Sequence, residues 1–343
     1  MNHYPEPPPP PLTPQNLSPQ FLFFRDGRRD LRHTANPLGF MLLLIAISFT
    51  FLPQAFSSLL SFIGYRGSLA YRNFGNIEPT VYYLIQGCQF ALSILVPCLL
   101  YLAIYRPAPA KIIPSQRVNP LVFLSLTFIG LGLSLFSNLP SQAFVERFSD
   151  LFSWDIASDQ MAASAMPPLA IGLFLIRHAV FPAFFEEFIF RGIVLGQLRR
   201  FGEGFAIFTS ALLFGMFHGN LPQIPFAFLV GLVLGYLLVK TNNIWLTAAV
   251  HFLNNLIAVL PEFLGPFLSA DQMNLINAIL FPLVFVLAVG GLIYLFLRHR
   301  HIFRFRFPIH PLPFGIRLGA FFSSIGIILL LLMNIGETIW RAI

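Results

Sequence analysis

The stretch "PLAIGLFLIRHAVFPAFFEEFIFRGIVLGQLRR" (residues 168–200) decides how this chain is read. It is long and apolar enough to cross a bilayer, since a span needs about 20 such residues. Yet it carries Arg177, His178, Glu186, Glu187 and Arg191 inside the apolar run. Each ionisable group at membrane depth costs roughly 2.5–3.5 kcal/mol on insertion scales, and such groups usually face the protein interior. A span that keeps five of them is therefore expected to line a polar site within a helix bundle.

The rest of the chain agrees with a membrane setting. Of 343 residues 56% are hydrophobic, 10% are charged and 41 are Phe; mean hydropathy is +0.74. Soluble domains carry about 25% charged residues, so a single water-soluble core is excluded. The net charge of +7 does not point to nucleic acid, because the basic residues fall in short loops between apolar runs. Cys88 and Cys98 are ten residues apart in one apolar segment. On a helix that is about 15 Å, beyond disulfide reach.

Nine apolar segments are expected to be helical: approximately 38–63, 80–105, 119–138, 168–197, 203–218, 222–240, 244–262, 275–297 and 314–336. The fold class is thus all-α, a polytopic bundle of about nine transmembrane helices. Loop charges orient it. With the N-terminus in the cytoplasm, fifteen Lys and Arg residues, including Arg28, Arg32, Arg199, Arg200, Lys240, Arg304 and Arg317, gather on that side. Four (Arg66, Arg72, Arg147, Arg341) remain opposite, which selects N-in and C-out.

The organisation follows. Residues 1–36 read as a disordered, Pro-rich cytoplasmic tail ("MNHYPEPPPPPLTPQ") closed by a basic collar ("RDGRRDLRH", 25–33); this is not the pattern of a signal peptide. Residues 37–167 hold the first helices and an external acidic loop around 139–167, with Glu146, Asp150, Asp155 and Asp159. Residues 168–262 hold the polar core, and 263–343 the last helices. The basic run "RHRHIFRFRF" (298–307) suits anionic head groups or a plain topology anchor.

Spacing sorts the polar residues. Glu187 and Arg191 are four apart with the acid N-terminal, the favourable order for an ion pair. Glu186 points about 100° away from Glu187, which leaves it freer for chemistry. Pro182, four before Glu186, is expected to disturb the helix upstream. His251 and Asn255 share one helix face, and as a donor pair could hold a developing oxyanion. His218 closes the short fifth segment. At 1.5 Å per residue Glu186, His218 and His251 lie about 20, 22 and 12 Å in from the cytoplasmic side, so a meeting point within the membrane is feasible. Three small-xxx-small pairs, Gly192/Gly196, Gly215/Gly219 and Gly231/Gly235, would let these helices pack closely.

In order, "EEFIFR" (186–191), "FGMFH" (214–218) and "HFLNN" (251–255) resemble the EExxxR, FxxxH and HxxxN motifs of the CAAX-protease and bacteriocin-processing (Abi) family. The type II CAAX prenyl endopeptidases belong to it. The resemblance covers about 168–262. It implies an intramembrane glutamic endopeptidase in which Glu186 with His218 activates water, His251 and Asn255 stabilise the oxyanion, and Glu187 and Arg191 support them. It implies no cofactor, a membrane-embedded or membrane-associated peptide substrate, and a bilayer, for a bacterial member the inner membrane. Three alternatives stay open at this point. One Glu and two His could hold zinc, though no HExxH helix is present. The chain could be a non-proteolytic scaffold or immunity protein, or a transporter with buried charges but no inverted repeat.

Overall fold

The computed structural model of the chain describes residues 19–67, 75–152, 166–265, 267–304 and 310–342. The Pro-rich stretch 1–18, Asp155 and Asp159 of the acidic loop, and 305–307 of the basic run lie outside the described residues. Every apolar segment marked in the sequence falls on a helix. They are α1 (Pro19–Phe62), α2 (Pro79–Tyr105), α3 (Pro120–Phe136), α4 (Asn138–Phe152), the irregular α5 (Pro168–Phe201), α6 (Glu203–Met216), α7 (Gln223–Thr241), α8 (Ile244–Leu264), α9 (Ala270–Arg298), α10 (Phe314–Phe322) and α11 (Ile325–Ala342). Among the described residues there is no strand, only an isolated antiparallel bridge, Ser115 to Asn243, beside the start of α8.

Among the described residues seven helices are long and apolar enough to cross a membrane, and the pair α10–α11, bent by 74°, makes an eighth if it counts as one span. The chain is an all-α, multi-pass membrane protein. Helix α6, with 14 residues, rises only about 21 Å, less than the roughly 30 Å of hydrocarbon. By itself it is too short to cross.

Two expectations need correction. The basic collar is not part of a disordered tail: α1 starts at Pro19 and runs straight through it. Leu31, Ala35 and Leu38 are fully buried, so this turn of helix packs into the protein while its arginines project outward. The segment read as an external loop likewise begins as a helix, α4, because Asn138–Phe152 is amphipathic rather than merely polar.

The basic residues collect at one end of the bundle. Arg200 pairs with Asp30 at 2.9 Å, Arg32 donates to Ser323 at 3.1 Å, Arg199 to Asn242 at 2.8 Å, and Lys240 to the Arg304 carbonyl at 2.6 Å. Arg317 reaches the carbonyl of Phe201. Helix ends far apart in sequence thus share one positively charged surface.

The core sits where α5, α6, α7 and the start of α8 meet, with Ile189, Phe190, Val194, Phe214, Leu238 and Ile244 buried together. Helix α9 is peripheral: Phe285, Phe296 and Leu297 stand exposed to lipid and only Val284, Gly291 and Leu295 are buried. Glycine explains how tightly the centre closes. A Cβ on Gly231 would lie 2.9 Å from the Ala211 Cα, and one on Gly235 3.2 Å from Ile207, so α7 lies almost backbone-to-backbone on α6. Gly192 and Gly196 pack instead against the carbonyls of Ile112 and Lys111, in the helical turn Pro109–Ile112. Gly219 does not serve as a packing partner within a helix; with φ +62° it makes the left-handed turn that ends α6.

Substituting Gly231→Val should overpack this contact and cost about 1–3 kcal/mol. Thermal melting in detergent should show a clear drop in Tm, while Gly290→Ala, whose added Cβ meets nothing within 4 Å, should leave it unchanged.

Candidate functional site

The site begins with a distorted helix. Pro182 has no N–H and its ring would strike the carbonyl four residues back in a regular α-helix. The chain widens into a π-helical turn over Ile176–Val180, resumes α-geometry over Phe181–Glu187, and widens again over Phe188–Leu195. Such wide turns are uncommon and concentrate at functional sites. The two glutamates close the α-helical piece, with Glu187 fully inside the bundle and Glu186 partly open, its side chain 19% exposed.

Glu187 is the hub. Arg191 Nη1 lies 3.1 Å from Glu187 Oε1, and both side chains are 1% exposed. The same oxygen receives His251 Nδ1 at 2.9 Å. An ionised carboxylate only accepts hydrogen bonds, so Nδ1 carries the proton and the ring is fixed with Nε2 turned the other way. There Nε2 lies 3.8 Å from Glu186 Oε2. One imidazole is thus held between two neighbouring carboxylates, 64 and 65 residues away in sequence.

Phe214, the first residue of "FGMFH", completes the enclosure. Its ring lies 4.4 Å beneath the Arg191 guanidinium and meets the His251 ring edge-on at 5.7 Å, placing the cation on a π-face. Arg191 Nη2 also donates to the Gly231 carbonyl at 3.4 Å. His218 packs edge-on against Phe214, with ring centroids 5.0 Å apart, and donates from Nδ1 to the Phe214 carbonyl at 2.8 Å. Because a carbonyl accepts only, Nδ1 carries a proton, and in the neutral ring the other nitrogen is an acceptor.

The structure therefore brings Glu186, Glu187, Arg191 and His251 into one connected group. His218 joins it through Phe214, with no contact to Glu186 within 4.0 Å among the described residues. Asn255, one turn beyond His251, is partly exposed and makes no hydrogen bond to a described residue. Two further polar residues were given no role in the sequence. Glu337 of α11 sets its carboxylate against Gly219, where a Cβ would lie 3.2 Å from the Glu337 Cδ; its only signal was a lone acid in the last apolar run. Asn254, 6% exposed, is the other. Its signal was the doublet Asn254–Asn255. Among the described residues no group of three His, Cys, Asp or Glu side chains is gathered in a way that could hold a metal ion.

Replacing Arg191 by Met leaves the Glu187 carboxylate buried without its counter-charge, which costs about 3–5 kcal/mol. Arg191→Met should lower the Tm strongly, and adding Glu187→Gln should recover most of the loss, because the amide oxygen still accepts from His251. A double variant no more stable than Arg191→Met would contradict the ion-pair account.

Residues 168–257 match the family model described as "Type II CAAX prenyl endopeptidase Rce1-like". That window contains all six residues marked in the sequence, and it is the family that the three motifs resembled. Over 179 residues the chain is 24% identical to "Putative membrane peptidase YdiL" of Bacillus subtilis (strain 168), an alignment covering 52% of this chain and 72% of the relative. No solved structure matches the chain. Both descriptions name a peptidase.

Proposed function

We propose that this membrane protein is an intramembrane endopeptidase that hydrolyses a peptide bond of a membrane-embedded or membrane-associated substrate by attack of water. The observation that carries this reading is the line Arg191–Glu187–His251–Glu186, in which a buried ion pair orients an imidazole toward a second, partly accessible carboxylate. A purely structural ion pair would have no need of the histidine or of the acid beyond it.

In the proposed reaction Glu186 is the general base. Water hydrogen-bonded to Glu186 and to the free Nε2 lone pair of His218 gives its proton to Glu186 as its oxygen attacks the scissile carbonyl carbon. Negative charge then develops on the carbonyl oxygen, and His251 and the Asn255 amide donate to it. Since Nδ1–H of His251 is committed to Glu187, donation from Nε2 requires the imidazolium. Two carboxylates, one beyond each ring nitrogen, supply its counter-charge. Collapse of the tetrahedral intermediate breaks the C–N bond, and the proton held by Glu186 passes to the leaving amine. Glu187 and Arg191 position His251 and touch no reacting atom.

The same reading places the basic end of the bundle in the cytoplasm, as the excess of Lys and Arg there favours, with the N-terminus inside and the C-terminus outside. A bacterial cell membrane suits it, given the relative from Bacillus subtilis. The reaction is written without a metal, because no set of ligands converges on the site among the described residues.

Comparison of membrane proteomes and released peptides between cells carrying the wild type and Glu186→Gln should reveal fragments that depend on the acid. Removal of the base should cost at least about 10² in rate, the scale of general-base catalysis, at unchanged Tm. If Glu186→Gln and His218→Ala both keep full function at normal expression, the protein acts as a scaffold instead.

Purified protein cleaving such a substrate should be indifferent to a millimolar chelator and contain no stoichiometric zinc by elemental analysis. Loss of activity on chelation, restored by zinc, would overturn the metal-free scheme.

A further inference from the structure

Beside the site runs a crevice of about 820 Å³ between α3, α7, α8 and α9, within the range of small-ligand pockets. Phe136, Phe226, Ile257 and Phe285 form its walls. One polar side chain sits deep within it. Asn254 is 6% exposed, lines the crevice, and makes no hydrogen bond to any described residue. Its amide atoms are not among the sealed, unpaired ones; they open onto the crevice, where they are free to bond an occupant.

The helix fixes where the crevice lies relative to the chemistry. Asn254 and Ala258 are three and seven residues after His251, on the same face of α8, and both line the crevice. Helix α8 starts at the basic end, beside Asn243, and runs away from it. The crevice therefore starts about 4.5 Å beyond His251 and leads toward the opposite membrane face. Its far rim carries Asn138 and Gln142, at the start of α4.

Resting on the peptidase reading above, we propose that this crevice is the subsite for the apolar residues that flank the scissile bond on the non-cytoplasmic side. Asn254 is the positioning residue that holds their backbone. A carboxamide offers both a donor and an acceptor, the complement of a peptide group's C=O and N–H. Two candidate occupants differ in this respect. A lipid acyl chain would fill the apolar walls but leave Asn254 unmet. A substrate segment unwound for cleavage must find partners for its own backbone inside the membrane, and Asn254 supplies one set. The 4.5 Å offset equals one to two residues of extended chain. The pairing thus falls immediately beside the bond that Glu186 and His251 would face.

The test uses full-length protein in phosphatidylcholine nanodiscs, with Phe285 replaced by p-benzoyl-phenylalanine as a photo-cross-linker. Glu186→Gln keeps any bound peptide intact. The probe is a fluorescent Leu/Ala-rich peptide of about 20 residues, long enough to span. Intact mass should show a peptide adduct that falls about tenfold in Asn254→Leu, the loss of one or two hydrogen bonds, and returns in Asn254→Gln, all at equal Tm. In the protein with Glu186 restored, Asn254→Leu should raise KM for this peptide far more than it lowers kcat. Peptide capture insensitive to Asn254→Leu, or a phospholipid adduct alone, would overturn the subsite. Asn254-dependent capture of a peptide that protein carrying Glu186 never cleaves would leave the subsite standing and sink the peptidase reading.

Discussion

The carboxylate of Glu187 is the point on which the centre of this protein depends. It lies in a low-dielectric interior where an unpaired charge costs several kcal/mol, and it is tolerable because Arg191 and His251 reach it together. Those partners in turn recruit others. The Arg191 guanidinium needs the Phe214 ring and the Gly231 carbonyl, which come from α6 and α7. His251 comes from α8. One ion pair thereby fixes the relative placement of four helices. In a bilayer, where apolar contacts between helices gain little over contacts with lipid, such polar links and close glycine packing are the natural means of holding a bundle in register.

Backbone shape provides the second constraint. Two adjacent glutamates on a regular helix would diverge by about 100°, one inward and one toward a neighbour. The wide turns on both sides of Phe181–Glu187 set how that short α-helical piece faces α8, so that the two carboxylates approach opposite nitrogens of one ring. Pro182 makes the upstream turn intelligible from sequence chemistry. Nothing in the residues Phe188–Leu195 announces the downstream one; there Gly192, and just past it Gly196, lie against the Pro109–Ile112 turn.

Much of this was legible in the sequence because it is local. The apolar runs mark the helices, and the Glu187–Arg191 pair is a property of i, i+4 spacing. The three motifs identified Glu186, His218, His251 and Asn255 as candidates. What was not legible depends on distant contacts. The bond between Glu187 and His251 joins residues 64 apart, so His251 could be read as a donor but not as a ring already committed through Nδ1. The helical collar of α1 looked like tail because its arginines are conspicuous, whereas its burial rests on Leu31 and Ala35 meeting the last helices. Glu337 and Asn254 carry only faint marks, a lone acid and one half of a doublet; the fold brings one beside Gly219 and sets the other on the crevice.

The short helix α6 links the architecture to the chemistry. A 14-residue helix rising from the basic end cannot reach the opposite face. The Gly219 turn therefore ends it short of a full span, with His218 packed on Phe214, whose ring also meets His251. Had α6 been a full span, its terminal histidine would sit at the far surface, remote from both glutamates. Glu187 and Arg191 are sealed from solvent, whereas Glu186 and His218 remain partly exposed. The positioning charges are thus dry and the groups that would handle water stay accessible. That division is what hydrolysis inside a bilayer demands: water must reach the reacting groups without dissolving the ion pair that holds them.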